Sequence, residues 1–260
     1  MIRWLVESID GYPDLVRGVA PAGLLGVLEQ QQLATFTVLK RRQDWLLGRW
    51  TAKNLLQTHL AETTGELVPL DQLWIKHEAG GAPYVTVNGP LNGPGVAGLL
   101  PLSLSISHSH GRAFCALYDA QLDETIEPAA RAKAASRLAI GADIEHIEAR
   151  DRCFVTDFFT PDEVEMVDQA PTVLQDTLVT AIWSGKEAVL KALRLGLRVD
   201  TQAVVCDFTP LPLPAEAHAD WQLFRVERRG ILTQTAPADR FSGWWRIIDD
   251  FVLTLAVRSN

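Results

Sequence analysis

Two helix-like segments, each followed by strand-like segments, constrain the fold of this chain more than any other feature. Residues 41–65 carry apolar side chains at helical spacing and end at Gly65, a residue type that often closes a helix in the left-handed conformation. Residues 173–193 show the same helical period. Short segments rich in apolar and β-branched residues follow each helix, which is typical of antiparallel strands. The order strand, helix, antiparallel strands therefore occurs twice.

This order predicts an α+β fold of two pseudo-symmetric lobes, each an antiparallel sheet packed on a long helix. We predict an N-terminal lobe over residues 1–120, a solvated connector over 121–137 and a C-terminal lobe over 138–260. No residue-level repeat between the halves is apparent, so the duplication is inferred from element order alone. Further expected elements are strands within 2–9, 73–87, 102–119, 138–147, 203–208, 221–228 and 244–258, helices over 21–36 and 160–170, and loops over 91–95 and 209–220.

Composition and charge exclude several classes of protein. The chain is 47% hydrophobic and 22% charged, as in ordinary globular domains, and its formal net charge is −8. A general nucleic-acid binder would carry a basic surface instead. The three cysteines show no CxxC pattern, which disfavours zinc and disulfides. Glu7 and Asp10 come too early for a signal sequence, and no apolar run could span a membrane, so we expect a cytoplasmic protein.

The stretch GADIE places two carboxylates, Asp143 and Glu145, on one face of an expected strand. Neighbouring carboxylates repel each other unless a cation lies between them. Hard oxygen ligands suit Mg²⁺, which keeps part of its coordination shell for phosphate oxygens and water. The simpler interpretation is an acidic strand end that faces solvent, and the motif by itself does not decide between the two.

The stretch WSGKEAVLKAL, residues 183–193, combines an apolar helix face with three charges. Glu187 and Lys191 lie at positions i and i+4 and share a face, whereas Lys186 points about 100° away around the helix. The two lysines could therefore approach one anion from different sides. A surface ion pair on a core helix is the alternative interpretation.

Alternation along SLSISHS directs Ser107 and His108 to opposite strand faces, so they do not form a nucleophile–base pair. His108 could donate to a phosphate or be a structural residue at a strand end. Upstream, a basic cluster accompanies the first long helix, with Arg42 and Arg49 two turns apart on one face. The cluster indicates either phosphate recognition or a solvated helix face. Its members are Lys40, Arg41, Arg42, Arg49 and Lys53.

In combination, these motifs resemble a known family. GADIE, W-x-x-K-E-A-x-x-K beginning 40 residues after Asp143, and SISHS upstream have the order and spacing found in the Sfp-type 4′-phosphopantetheinyl transferases. The resemblance covers about residues 40–196 and includes FFTPDE at 158–163. It implies two similar lobes with coenzyme A in a cleft between them. It also implies transfer of the 4′-phosphopantetheine group to a serine of an acyl or peptidyl carrier protein, with release of 3′,5′-ADP.

The resemblance also implies roles in metal and phosphate binding. Asp143, Glu145 and Glu187 match the carboxylates that hold Mg²⁺, with Mn²⁺ as a possible substitute. Whether Glu187 is a metal ligand or the base that takes the serine proton stays open. Lys186 and Lys191 match lysines that hold the phosphates, and Lys191 would also stabilise the leaving group.

For coenzyme A itself, Ser107 and His108 match a pair that contacts the 3′-phosphate and adenosine end. Arg49 matches a Gly-Arg pair on the long helix, and Arg42 joins it among the expected phosphate contacts. Two departures weaken this match: Ala82 stands in GGAP where relatives have a basic residue, and no basic residue precedes Phe36 in EQQQLATF. The candidates to replace these contacts are Lys40, Arg41, Arg42 and Lys76.

Two other functions stay open. A non-catalytic relative would keep the fold and bind coenzyme A or a carrier protein without transfer. A different Mg²⁺-dependent phosphate enzyme, such as a phosphohydrolase, would need an activated water that no motif specifically supplies. Retention of all five charged motif residues favours the transferase. These residues are Asp143, Glu145, Lys186, Glu187 and Lys191. Two lobes within a single chain suggest a monomer, and we expect no nucleic-acid or membrane partner.

Overall fold

The computed structural model describes residues 1–88, 100–122, 139–209, 218, 220–235 and 240–259. The chain divides into two compact units, Met1–Ser136 (unit 1) and Arg137–Asn260 (unit 2). Most of the predicted connector, the predicted loop over 91–95 and most of that over 209–220 lie outside the described residues. The connector boundaries therefore stay a prediction. None of the described helices is both long enough and apolar enough to cross a bilayer.

In unit 1, one long helix packs on antiparallel strands. Strands β1, β5 and β4 form a sheet in that order, and β2 pairs with β3. Helix α3 ends at Gly65, which has a φ of 77°, as the sequence predicts. The elements are β1 (Ile2–Ser8), α1 (Pro13–Val16), α2 (Val27–Ala34), α3 (Leu39–Thr64), β2 (Leu73–His77), β3 (Pro83–Val87), β4 (Leu102–Ser109) and β5 (Arg112–Asp119). Its largest core cluster joins Leu55 and Leu56 of α3 to Leu104, Cys115 and Leu117 of the sheet.

Helix α2 is shorter than the helix expected over residues 21–36. The expected start of that helix was wrong. Gly23 has a φ of 75°, so the chain cannot be helical there. The helix begins after Gly26, whose N–H donates to the Glu29 carboxylate at 3.3 Å. A Cβ atom at Gly26 would meet the Trp74 ring and lie 2.8 Å from the Asp71 carbonyl oxygen. Close packing at Gly26 therefore fixes where α2 starts.

Unit 2 contains one five-stranded antiparallel sheet, in the order β6-β10-β9-β8-β7. Its elements are β6 (Ala139–His146), α4 (Arg152–Phe158), α5 (Pro161–Gln169), α6 (Thr172–Ala192), β7 (Val204–Asp207), β8 (Gln222–Arg228), α7 (Ile231–Thr235), β9 (Arg240–Ile248) and β10 (Phe251–Ser259). The sequence TPDE at 160–163 predicts a capping box at the start of α5, and Thr160 and Glu163 form it. Helix α4 was not predicted, although Asp151 caps it by accepting from the Phe154 N–H at 2.7 Å. The α+β fold is confirmed.

The α6 backbone lies very close to the sheet at Gly141 of β6. A Cβ atom there would collide with the Ala188 carbonyl oxygen and would lie 2.8 Å from the Ala192 nitrogen. Both partners are backbone atoms of α6, which cannot move as a flexible side chain can. The glycine of GADIE therefore lets the helix backbone lie directly on the strand two residues before Asp143.

We predict that Gly141→Ala lowers the melting temperature by several degrees or more. Overpacking of this kind costs about 1–3 kcal/mol or more, and each kcal/mol corresponds to about 2–4 °C in a domain of 150–250 residues. Gly11→Ala is the matched control, since a Cβ atom at Gly11 meets nothing within 4 Å. Equal melting temperatures for the two variants in differential scanning calorimetry would contradict this account of the α6–β6 contact.

Candidate active site

The centre of the candidate site in unit 2 is an ion pair between β6 and α6. Lys191 donates to Asp143 Oδ1 at 2.6 Å and to the Ala142 carbonyl oxygen at 3.3 Å. Asp143 is buried with 3% exposure, whereas the Lys191 side chain is 27% exposed. The lysine therefore joins a buried carboxylate to the protein surface, where an anion could reach it.

Glu187 lies one helical turn before Lys191 and is half-buried. Burial raises the pKa of Glu187 above 4.5, and the negative charge of Asp143 raises this pKa further, while Lys191 acts in the opposite direction. The carboxylates of Asp143 and Glu187 therefore repel each other, and the positive charge of Lys191 partly offsets this repulsion. The placement agrees with the predicted i, i+4 relation on α6.

Glu145, two residues after Asp143 on β6, has different partners. Its Oε1 accepts from the Trp183 indole N–H at 3.3 Å, and its Oε2 lies 3.8 Å from the Arg150 guanidinium. The Trp183 ring packs edge-on against Phe154 and Phe158, with centroids 5.1 Å away in each case. The tryptophan of the W-x-x-K-E motif thus orients the second carboxylate of the strand motif.

The chemistry of this donor set fits a hard divalent cation such as Mg²⁺. All three side chains offer carboxylate oxygens, and a cation would offset the repulsion between Asp143 and Glu187. Their oxygens do not all lie within 4.8 Å of one another, so the three are not yet gathered around one point.

Lys186 does not lie where the sequence prediction put it. Its side chain is fully buried, and the ammonium group is bound by Glu163 at 2.7 Å and by two carbonyl oxygens, those of Thr201 at 3.0 Å and of Val204. Protein acceptors surround the ammonium and no part of it reaches solvent, so in this structure Lys186 is not placed to contact a phosphate.

Unit 1 contains a groove of about 580 Å³ between α3, the β2–β3 turn and β4. Its wall carries the basic groups of Lys40, Arg41, Arg49, His77 and His108. Burial and the neighbouring Arg49 charge lower the pKa of His77, which keeps it neutral at pH 7. The other lining residues are Gln32, Phe36, Val38, Asp44, Trp45, Gly48, Gly81, Pro83 and Ile106.

The predicted cofactor-binding residues of unit 1 differ in whether they line this groove and in how exposed they are. His108 is exposed and lines it, whereas Ser107 is buried and does not. Arg49 lines it but is 3% exposed, with its guanidinium over the Trp45 ring and 3.4 Å from Glu29. The two side chains of the Ser-His pair therefore have different surroundings, as strand alternation predicts.

Arg42 was also predicted to bind a phosphate, and in this structure its guanidinium is bonded to backbone carbonyl oxygens. Its guanidinium donates to the carbonyl oxygens of Gly18, Leu33 and Phe36 at 3.0–3.3 Å. These bonds satisfy acceptors at and after the end of α2 and hold the loop after α1. Arg42 is thus a structural residue beside the groove.

No sequence motif indicated several of the residues that lie at these sites. His77 and Arg150 carried no motif, and Glu163 was predicted only as a helix cap. The signals that could have found Glu163 are weak, since no spacing rule relates a capping-box glutamate to a lysine on the next helix. To predict Arg150 as a site residue, one would need to know where the chain runs after β6.

Comparison with known protein families connects this geometry to a group of enzymes. The family model described as the 4′-phosphopantetheinyl transferase superfamily matches residues 139–247. The match lies within unit 2 and covers less than half of the chain. The matched segment contains the strand with Asp143 and Glu145 and the helix with Glu187 and Lys191. No curated protein matches the chain by sequence.

Among solved structures, several acyl-carrier-protein synthases resemble the chain at a low level. Holo-[acyl-carrier-protein] synthase from Neisseria meningitidis is 19% identical with a TM-score of 0.38, over 46% of this chain and 97% of that one. The Helicobacter pylori enzyme, solved in complex with coenzyme A, is 17% identical with a TM-score of 0.36, over 46% and 99%. The Mycobacterium tuberculosis acyl carrier protein synthase is 19% identical with a TM-score of 0.33, over 46% and 95%.

We predict that Glu187→Gln raises the melting temperature of the metal-free protein at pH 8. The pKa of Glu187 in the folded state lies above its usual value of 4.5, so the folded state loses stability as pH rises through that pKa. Glutamine carries no charge and avoids this loss. The gain should shrink as the pH is lowered toward 4.5, where the wild-type carboxyl is also protonated.

Thermal unfolding between pH 5 and pH 8 in EDTA measures this effect. Glu165→Gln, at an exposed position of α5, is the control and should change the melting temperature little at any pH. A Glu187→Gln variant that is less stable than wild type at pH 8 would show that the carboxylate is stabilised in the fold.

Proposed function

We propose that the chain is an Sfp-type 4′-phosphopantetheinyl transferase. In this proposal it transfers the 4′-phosphopantetheine group of coenzyme A to a serine of an acyl or peptidyl carrier protein and releases 3′,5′-ADP, with Mg²⁺ as cofactor. The observation that carries the proposal is the cluster of Asp143, Glu187 and Lys191, which lies within the segment that the superfamily model matches. A second carboxylate, Glu145, lies on the same strand as Asp143.

In this proposal, the carboxylates of unit 2 bind the metal and Lys191 contacts the phosphates. Asp143 and Glu187, joined by Glu145, would hold Mg²⁺, which when bound offsets the negative charge of the pyrophosphate and polarises it. Lys191, held by Asp143 but partly exposed, donates to the phosphate oxygens and to the leaving 3′,5′-ADP. A fixed cation at the developing charge is the main source of acceleration in such reactions.

Glu187 is suited to take the proton of the carrier serine. A pKa raised toward the working pH makes a carboxylate a better base than an exposed glutamate, provided that it is still ionised. As the proton leaves for Glu187, the serine Oγ–phosphorus bond forms and the bond between that phosphorus and the oxygen of the leaving 3′,5′-ADP breaks. Glu187 can therefore be both the proton acceptor and a neighbour of the metal.

The groove of unit 1 is the proposed site of the nucleotide end of coenzyme A. His108 lines it, and Lys40 and Arg41 lie at its edge and are exposed. Gly81 of the GGAP turn also lines it, next to Ala82, where relatives have a basic residue. Arg42 is occupied by carbonyl oxygens, so Lys40 and Arg41 are the residues that replace the missing contacts. Lys76 is not among the lining residues and lies 5.2 Å over the Trp74 ring.

A non-catalytic coenzyme A-binding relative is the second candidate function. The buried position of Lys186 and the alanine at position 82 favour it, since both remove phosphate contacts that the motif pattern implies. This candidate predicts coenzyme A binding without any modified carrier protein. A cytoplasmic location and a monomeric state are parts of either proposal.

Mass spectrometry of an apo acyl carrier protein and an apo peptidyl carrier protein, each incubated with the chain, coenzyme A and Mg²⁺, tests the proposed transfer. We expect a mass increase of one phosphopantetheine that disappears with EDTA. Unmodified carriers together with measurable coenzyme A binding would overturn the transferase proposal in favour of the non-catalytic one.

The same assay tests the residues. Asp143→Ala and Glu187→Ala should each lower transfer about 100-fold or more, the usual loss when a charge-stabilising or proton-transfer group is removed. Lys191→Ala should lower turnover more than it lowers the melting temperature. Asp168→Ala is the control, because Asp168 also pairs with a cation in unit 2, Arg152, but on the exposed surface. Wild-type activity in Asp143→Ala or Glu187→Ala would remove that residue from the site.

A further inference from the structure

The buried position of Lys186 belongs to a bonded arrangement in unit 2 that joins three elements. Glu163, the capping-box residue of α5, accepts from Lys186 of α6 at 2.7 Å. Its other oxygen, Oε1, accepts from the N–H of Cys206, the third residue of β7, at 2.8 Å. Lys186 in turn donates to the carbonyl oxygen of Thr201, which begins the 3₁₀ turn before β7. Neither Lys186 nor Glu163 is exposed to solvent.

Unit 1 contains the same arrangement. Glu29, the capping-box residue of α2, forms an ion pair with the fully buried Lys53 of α3. Its Oε1 accepts from the N–H of Ile75, the third residue of β2, at 3.5 Å. Lys53 also donates to the carbonyl oxygen of Leu70, which begins the 3₁₀ turn before β2, at 3.0 Å. The ion pair, the bond to a strand N–H and the bond to the first residue of the 3₁₀ turn thus have counterparts in unit 2. The bond from Lys53 to the Leu24 carbonyl oxygen and the 3.4 Å contact of Glu29 with Arg49 are additional contacts of unit 1.

The sequence around the two lysines shows the same correspondence. A tryptophan stands three residues before each lysine, as Trp50 and Trp183, with a hydroxyl-bearing residue directly after it. The next residue after the lysine differs, because Asn54 follows Lys53 whereas Glu187 follows Lys186. The buried lysine–glutamate pair is therefore common to both units, and the carboxylate beside it occurs in unit 2 alone.

We propose that the Lys186–Glu163 pair positions Glu187 rather than binding substrate, and that the Lys53–Glu29 pair is its architectural counterpart in unit 1. This inference rests on the proposed function, which gives Glu187 its role. Lys186 and Glu163 are thus positioning residues. Because Lys53, like Lys186, is fully buried and bonded by protein acceptors, the repetition itself argues that the pair serves the architecture.

Physical chemistry explains how such a pair could position Glu187. A buried ion pair needs full hydrogen bonding to compensate for its loss of hydration, and both pairs have it. Lys186 is thereby fixed at one height along α6 and in one rotation about the helix axis relative to the turn before β7. Glu187, the next residue, takes its place beside Asp143 as a consequence.

A set of single and double variants tests this inference, with steady-state kinetics and thermal unfolding measured for each. Lys186→Met and Glu163→Gln should each lower kcat at least tenfold while changing the KM for coenzyme A less than threefold. Their effects on kcat should not add in the double variant, because each breaks the same pair. If Lys186 binds phosphate instead, Lys186→Met should raise the KM for coenzyme A strongly, while Glu163→Gln should leave catalysis unchanged. That pattern would overturn the proposal.

Lys53→Met is the matched control, since it breaks the equivalent pair in unit 1. It should lower the melting temperature by an amount similar to Lys186→Met but leave kcat within twofold of wild type. An equal fall of kcat in both lysine variants would show that general destabilisation, and not the position of Glu187, causes the loss. Lys186→Met at wild-type stability would also contradict the pair. If wild type modifies no carrier protein, the proposed function has failed, while the unfolding data still show whether the two pairs are equivalent.

Discussion

The contact between the α6 backbone and β6 at Gly141 is the constraint on which the candidate site depends. Because no Cβ atom separates the two backbones there, Lys191 of α6 reaches both the Asp143 carboxylate and the Ala142 carbonyl oxygen. Glu187 is close enough for the Asp143 charge to raise its pKa. A wider spacing between helix and strand would separate the same side chains and leave two acidic residues and a lysine without a common function.

Local sequence signals were sufficient for most of the fold. The helix ending at Gly65 and the capping box at Thr160 each follow from residue types that favour one backbone conformation. The start of α2 could not be predicted in this way. It depends on the packing of Gly26 against Trp74, a contact between segments that are distant in sequence.

The candidate site shows the same limit. Periodicity placed Glu187 and Lys191 on one helix face, and the structure confirms that relation. Lys186 and Arg42 are bonded to acceptors that other segments supply. Glu163 and the turn before β7 bind Lys186, and the carbonyl oxygens of Gly18 and Leu33 bind Arg42. A charged residue in a motif can bind a ligand or a protein group, and sequence spacing does not distinguish the two. The residue-level repeat was missed for the same reason, because it consists of contacts and only weakly of sequence identity.

The central claim is that the carboxylates of unit 2 hold a divalent cation at the pyrophosphate of coenzyme A, and ³¹P NMR tests it most directly. Mn²⁺ bound by the protein should broaden the two pyrophosphate resonances of coenzyme A much more than its 3′-phosphate resonance. The difference should disappear with Asp143→Ala, which lacks the buried carboxylate, and stay with Asp168→Ala. Equal broadening of all three phosphorus resonances, or selective broadening that persists in Asp143→Ala, would contradict this account.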